Sequence, residues 1–199
     1  DDGSFAWSLN NYLTPPADVL SSQYGYSIFT NASRVGVGAP SADGKGAIFV
    51  YDCAANDGEF PTFPYLGKYS PDSLMNDDSY GTDFFIGSTN IVAGAPGSDL
   101  YGPDNGRVRI DNLDTIEALV NQLVPYDTSN LLDAFEGLAP SSITGSGNRM
   151  VLGIHHASDG DGFVQLIDNQ NGTWNYDGLL AIDPGSSPNF FGHDVSQHE

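Results

Sequence analysis

Basic residues are scarce in this chain. Six lysines and arginines stand against 26 aspartates and glutamates, a formal net charge of −20. That balance argues against nucleic acid, whose phosphates require lysine and arginine, and against anionic membrane surfaces. It fits a chain kept soluble in a salty exterior, where screening softens self-repulsion. Cysteine is nearly absent: Cys53 stands alone, so no internal disulfide can form. A small, partly buried thiol is the simplest reading of it. No apolar run approaches the ~18 residues of a membrane helix. The sequence shows no signal peptide and starts at Asp1 without methionine, as expected of a mature or excised piece.

What the chain has in quantity is glycine, 24 residues, with 12 prolines, a composition for many tight turns. With 39% hydrophobic and 12% aromatic residues it is not disordered. Its organising stretch is Tyr24–Asp52, because Tyr80–Asp111 repeats it. Each copy opens on an aromatic–Gly pair (Tyr24-Gly25, Tyr80-Gly81) and reaches a Gly-Ala-Pro fourteen residues after the aromatic. These triplets are Gly38-Ala39-Pro40 and Gly94-Ala95-Pro96, and both landmarks recur at 56 residues. A weaker third copy runs from Ala139 to Asp168, and a fourth opens at Phe191-Gly192. A fixed period of this size marks a repeat architecture.

Within a unit the signals are for four short strands. The first is Tyr26–Phe29 or Asp83–Ile86, and the second is Arg34–Ala39 or Asn90–Ala95, ended by a proline that cannot donate to a ladder. The third is Ala47–Tyr51, Arg107–Ile110 or Phe163–Ile167, and the last lies around Trp7, Phe63 or Trp174. Ala-Ile-Phe-Val-Tyr is apolar on both faces, as a strand between neighbouring sheets should be. One stretch departs from this. Residues 113, 116, 119, 120 and 123 are apolar at helical spacing, and Asp114 with Glu117 resembles a capping box, so a short helix is expected near 113–123. The expected fold is all-β: a propeller segment of about three and a half four-stranded units. The units divide as 1–14 (a last strand), 15–70, 71–127, 128–182 (divergent) and 183–199 (a first strand). Such a segment would form an open arc, completed by a longer parent chain or another subunit.

At these residues the chain resembles the FG-GAP repeats of integrin α-subunit N-terminal propellers and of many secreted microbial and algal proteins. Tyr24-Gly25 and Tyr80-Gly81 stand for the Phe-Gly, Phe191-Gly192 matches it literally, and the two Gly-Ala-Pro triplets are literal too. The third unit departs, with Ala139-Pro140 and Gly153-Ile154-His155 in those places. The resemblance implies a propeller, commonly seven-bladed, serving recognition, adhesion or scaffolding at the cell surface rather than chemistry. Integrin-type members carry a calcium loop of spaced aspartates between the first two strands. Here that position holds Thr30–Ser33 and Ile86–Thr89, without an aspartate, so calcium at that site is not carried over.

Other candidates for chemistry are thin. Asp159-Gly-Asp161-Gly is the nearest substitute for a calcium loop, yet it lacks the six to eight oxygens the ion takes, and ordinary Asp–Gly turn chemistry explains it better. His155 and His156 are adjacent and would point to opposite faces of a strand. No nucleophile stands beside a base in any recognisable motif. Asn31-Ala-Ser33 and Asn171-Gly-Thr173 are glycosylation sequons in expected hairpin turns. The sequence thus points to a non-enzymatic, extracellular or cell-surface glycoprotein without cofactor, whose partners are proteins. The competing readings are a subunit of a filament or sheath, and a carbohydrate-binding or hydrolase-associated propeller.

Overall fold

The computed structural model describes residues 12–17, 19, 22–53, 63–99, 106–113, 119–123, 142–146, 149–154, 162–170, 173–181 and 194–195. These form twelve strands in three four-stranded antiparallel sheets, each a simple meander. The first contains β1 (Ile28–Thr30), β2 (Arg34–Ala39), β3 (Ala47–Asp52) and β4 (Tyr65–Tyr69). The second contains β5 (Phe84–Ile86), β6 (Asn90–Ala95), β7 (Arg107–Asn112) and β8 (Leu119–Leu123). The third contains β9 (Ser142–Ser146), β10 (Arg149–Ile154), β11 (Phe163–Gln170) and β12 (Thr173–Ala181). Apart from one 3-10 turn at Ala42–Gly44, the described residues hold no helix, and none is long and apolar enough to cross a membrane.

The helix expected near 113–123 gives way to strand in its described part, 119–123. Leu119–Leu123 is β8, paired antiparallel with β7 from Val108↔Leu123 to Asp111↔Leu119. Helical spacing loses here to the needs of β7, whose second edge of N–H and C=O groups would otherwise go unpaired in the fold's interior. The first strands also start later than the sequence signals place them. Tyr26 lies in the preceding turn, its N–H shared between the carbonyls of Gln23 and Gly38.

The sheets stack largely through strands that are apolar on both faces, β3 and β5 among them. Alternation sends Ile48 and Val50 of β3 toward the second sheet, where they join Tyr69, Tyr80, Phe84, Ile86, Ile91 and Ala93. Phe85 of β5 points the other way and meets Val92, Val108, Ile110, Ile143, Met150, Leu152 and Ile167 between the second and third sheets. The remaining face of the first sheet, Val35, Val37, Phe49 and Tyr51, is covered by Leu13, Val19, Tyr24 and Phe63.

The first two repeats fold alike, hydrogen bond by hydrogen bond. Gly25 donates to the carbonyl of Gly38 and Gly81 to that of Gly94, both at 3.0 Å. Gly38 donates to Ser27 at 2.8 Å as Gly94 does to Asp83 at 2.9 Å. Each motif glycine has positive φ, +91° at Gly25 and +85° at Gly81, a conformation side chains rarely adopt. So the aromatic–Gly turn and the Gly-Ala-Pro strand are partners within one unit. The tyrosines of the two motifs also reach the same register position: Tyr24 Oη meets Tyr51 Oη at 2.6 Å, and Tyr80 Oη donates to Asp111 Oδ2 at 3.1 Å.

Candidate binding cleft

The hairpin turns β1–β2 and β5–β6 lie side by side at one end of the first two sheets. In the first, the Asn31 side chain organises the turn. Its Oδ1 accepts the N–H groups of Ser33 and Arg34, both at 2.9 Å, and the Ser33 hydroxyl at 3.2 Å. Its Nδ2 donates across to the carbonyl of Ile86 at 3.1 Å, tying one sheet to the next. Short polar side chains that bond their own backbone are suited to this role. The second turn closes with the same main-chain bond, Gly87 N–H to Asn90 O at 2.8 Å against Asn31 N–H to Arg34 O at 3.0 Å. Gly87, having no side chain in place of Asn31, leaves room between the turns.

That room is a half-open cleft of about 590 Å³, bordered by Phe29, Asn31–Arg34, Phe85–Ser88 and Gly145. Its floor includes two phenyl rings, Phe29 and Phe85, tilted at 55° with centroids 6.5 Å apart. Its cationic wall is Arg34. Its volume falls in the range of small-molecule sites, while its lining is divided about evenly between polar and apolar surface.

A second polar cluster is buried between the first and second sheets. On β7 the residues facing the first sheet are Arg107, Arg109 and Asp111, where β3 has Ala47, Phe49 and Tyr51. Arg107 Nη2 meets Asp78 Oδ2 at 2.6 Å. Arg109 holds both oxygens of Asp111, through Nη2 at 2.7 Å and Nε at 3.1 Å, and donates from Nη1 to Ser73 Oγ at 2.7 Å. Burial, then the Asp111 charge, raise the Tyr80 phenol far above the usual tyrosine range, while Arg109 acts in the opposite direction. Burial also raises Tyr24, with help from Tyr51. With every carboxylate held by a guanidinium, the cluster is cement between sheets and presents no reactive group to a ligand.

A third group lies along the first strands. Asp83 accepts the N–H groups of Phe84 at 2.9 Å and of Ile143 in the next sheet. Ser142, at the equivalent place, donates to Asp194 at 3.1 Å and accepts the N–H of Val195 at 3.2 Å. Burial is the main reason the Asp83 carboxyl is raised; the two main-chain N–H groups and Ser142 pull it down, and Asp194 pushes it up.

Of the residues singled out in the sequence, Tyr24, Gly25, Gly38, Ala39, Pro40, Tyr80, Gly81, Gly94, Ala95 and Pro96 lie where the opening turn of each of the first two units meets the end of its second strand. Asn31 lies on the rim of the cleft. Asp159, Asp161, Asn171, Phe191 and Gly192 lie outside the described residues, among which no three His, Cys, Asp or Glu side chains gather as a metal site would require. Cys53 is a free, half-buried thiol beside the outer core of the first sheet. The sequence reading missed Arg34 and the β7 network. The second was legible in the alternation Arg-Val-Arg-Ile-Asp, polar on one face only. No family model matches the chain, and no curated protein is significantly similar to it.

Proposed function

We propose that the chain is a non-enzymatic, extracellular or cell-surface propeller segment of the FG-GAP kind, serving adhesion or protein–protein assembly. One comparison of equivalent positions carries this reading. Ile28, Phe84 and Ile143 occupy the same place in the three first strands, opposite Val37, Ala93 and Leu152. Phe84 is 2% exposed and Ile143 5%, each covered by the sheet before it, whereas Ile28 is 70% exposed. Leu180 repeats the pattern on the far side of the third sheet: its counterpart Tyr69 is 7% exposed, and it is 52% exposed. Large apolar side chains at positions that elsewhere form inter-sheet cores mark contact surfaces for protein. The recurrence of the same main-chain bonds from unit to unit supports a repeat architecture, of which the radial arrangement is the form proposed.

The test uses the native secreted or surface-attached protein. Ile28→Arg should abolish its cross-linking to neighbouring protein while leaving its melting temperature unchanged. Undiminished cross-linking, or recovery of the protein solely from inside the cell, would reject the reading.

A further inference from the structure

We infer that the cleft between the β1–β2 and β5–β6 turns binds a ring-bearing organic anion, such as an acidic sugar, through the Arg34 guanidinium. The decisive observation is how the chain disposes of its few cations. Five of the six basic side chains are paired: Lys45 with Asp72, Lys68 with Asp43, Arg107 with Asp78, Arg109 with Asp111 and Arg149 with Asp168. Arg34 alone among the described residues makes no ion pair, and it lines the cleft.

Its own repeat shows that the pair was available. Arg34 stands opposite Asp52 on the neighbouring strand, as Arg149 stands opposite Asp168. In the third sheet that cross-strand pair is made, at 3.9 Å. In the first sheet it is not, and Arg34 lines the cleft together with Phe29 and Phe85. A guanidinium offers five donors in a planar fork that fits a carboxylate or sulfate in bidentate fashion. Phe29, half-buried and backed by the buried Phe85, supplies the apolar surface for the ligand's body. The exposed Ser33 and Ser88 stand at the rim for its hydroxyls. The net charge of −20 opposes an anion at long range. At physiological ionic strength the screening length is about 8 Å, so the contact with Arg34 outweighs distant aspartates.

The assignment is independent of the assembly reading, since the cleft and the exposed Ile28 surface are different places. It is tested by calorimetric titration of the full chain, produced without glycosylation, with digalacturonate, with neutral lactose and with inorganic sulfate. Digalacturonate should bind and lactose should not. Arg34→Ala should weaken binding about tenfold or more, the scale of a lost charged hydrogen bond. Arg34→Lys should retain part of it, because charge survives without the fork. Arg149→Ala, the same charge change at the equivalent strand position, should leave affinity and melting temperature unaltered. The inference is overturned if no probe binds at millimolar concentration, if sulfate or lactose binds as well as digalacturonate, or if Arg149→Ala costs as much as Arg34→Ala.

Discussion

Single side chains in this protein are matched to the sheet they face, and the consequences differ with burial. Arg107, Arg109, Asp78 and Asp111 lie in the interior, where removing one partner strands the other's charge. Asp78→Ala or Asp111→Ala is therefore expected to cost about 3–5 kcal/mol, measured by urea denaturation. Lys68→Ala, whose pair with Asp43 is partly exposed, should cost under about 1 kcal/mol. Asp83 supplies a pH test. Its carboxyl is raised, so the folded state holds the proton more tightly than the unfolded chain does. The contribution is full below the ordinary aspartate range and is lost as pH rises through the native value. Between about pH 7 and pH 4 the stability of the wild type relative to Asp83→Asn should thus rise on acidification. A difference that is flat, or moves the other way, would remove burial as the dominant influence on that carboxyl.

At the scale of elements, the turns join one unit to the next. Gly46, at φ +97°, pairs with Tyr80 in an isolated parallel bridge. A Cβ there would run into the main-chain nitrogen and oxygen of Tyr80. Tyr80 in turn donates to the carbonyl of Lys45 at 3.0 Å, and Asp77 to that of Gly44 at 2.7 Å. Gly46→Ala should therefore destabilise severely, lowering both the melting temperature and the amide protection of Asp77 and Tyr80. Gly67→Ala on β4, where a Cβ meets nothing within 4 Å, is the control and should change little. The most instructive element is β8. Periodicity over 113–123 reads as a helix, and the first three landmarks of the second unit read as strands. Pairing with β7 resolved that conflict, because a strand with one empty edge inside a stacked fold leaves main-chain groups unsatisfied.

Among the described residues, two cores are shared between neighbouring sheets. Adjacent residues on β5 belong to different ones, Phe84 facing the first sheet and Phe85 the third. Truncating either to alanine removes a large buried side chain and should cost about 3–5 kcal/mol. Hydrogen exchange would separate the two. Phe84→Ala should loosen the junction of the first two sheets, whereas Phe85→Ala should release protection in β9 and β10 first. Uniform loss of protection across all three sheets in both variants would mean that the units do not act as neighbours coupled in series.

The order of parts was in the sequence: the recurring aromatic–Gly and Gly-Ala-Pro, Arg34–Ala39 and Asn90–Ala95 as second strands, and the doubly apolar third strand. Each rests on local physics, since a positive-φ glycine, a proline stop and a two-residue period act over a few residues. Other features had no local signature. That Ile28 is exposed while Phe84 is covered depends on which sheet precedes each. That Leu119–Leu123 is a strand depends on β7. That Arg34 lines a cleft while Arg149 meets its aspartate depends on the turn opposite, where Gly87 leaves space. Burial, pairing and charge compensation are set by residues distant in the chain, so only the stacked sheets decide them.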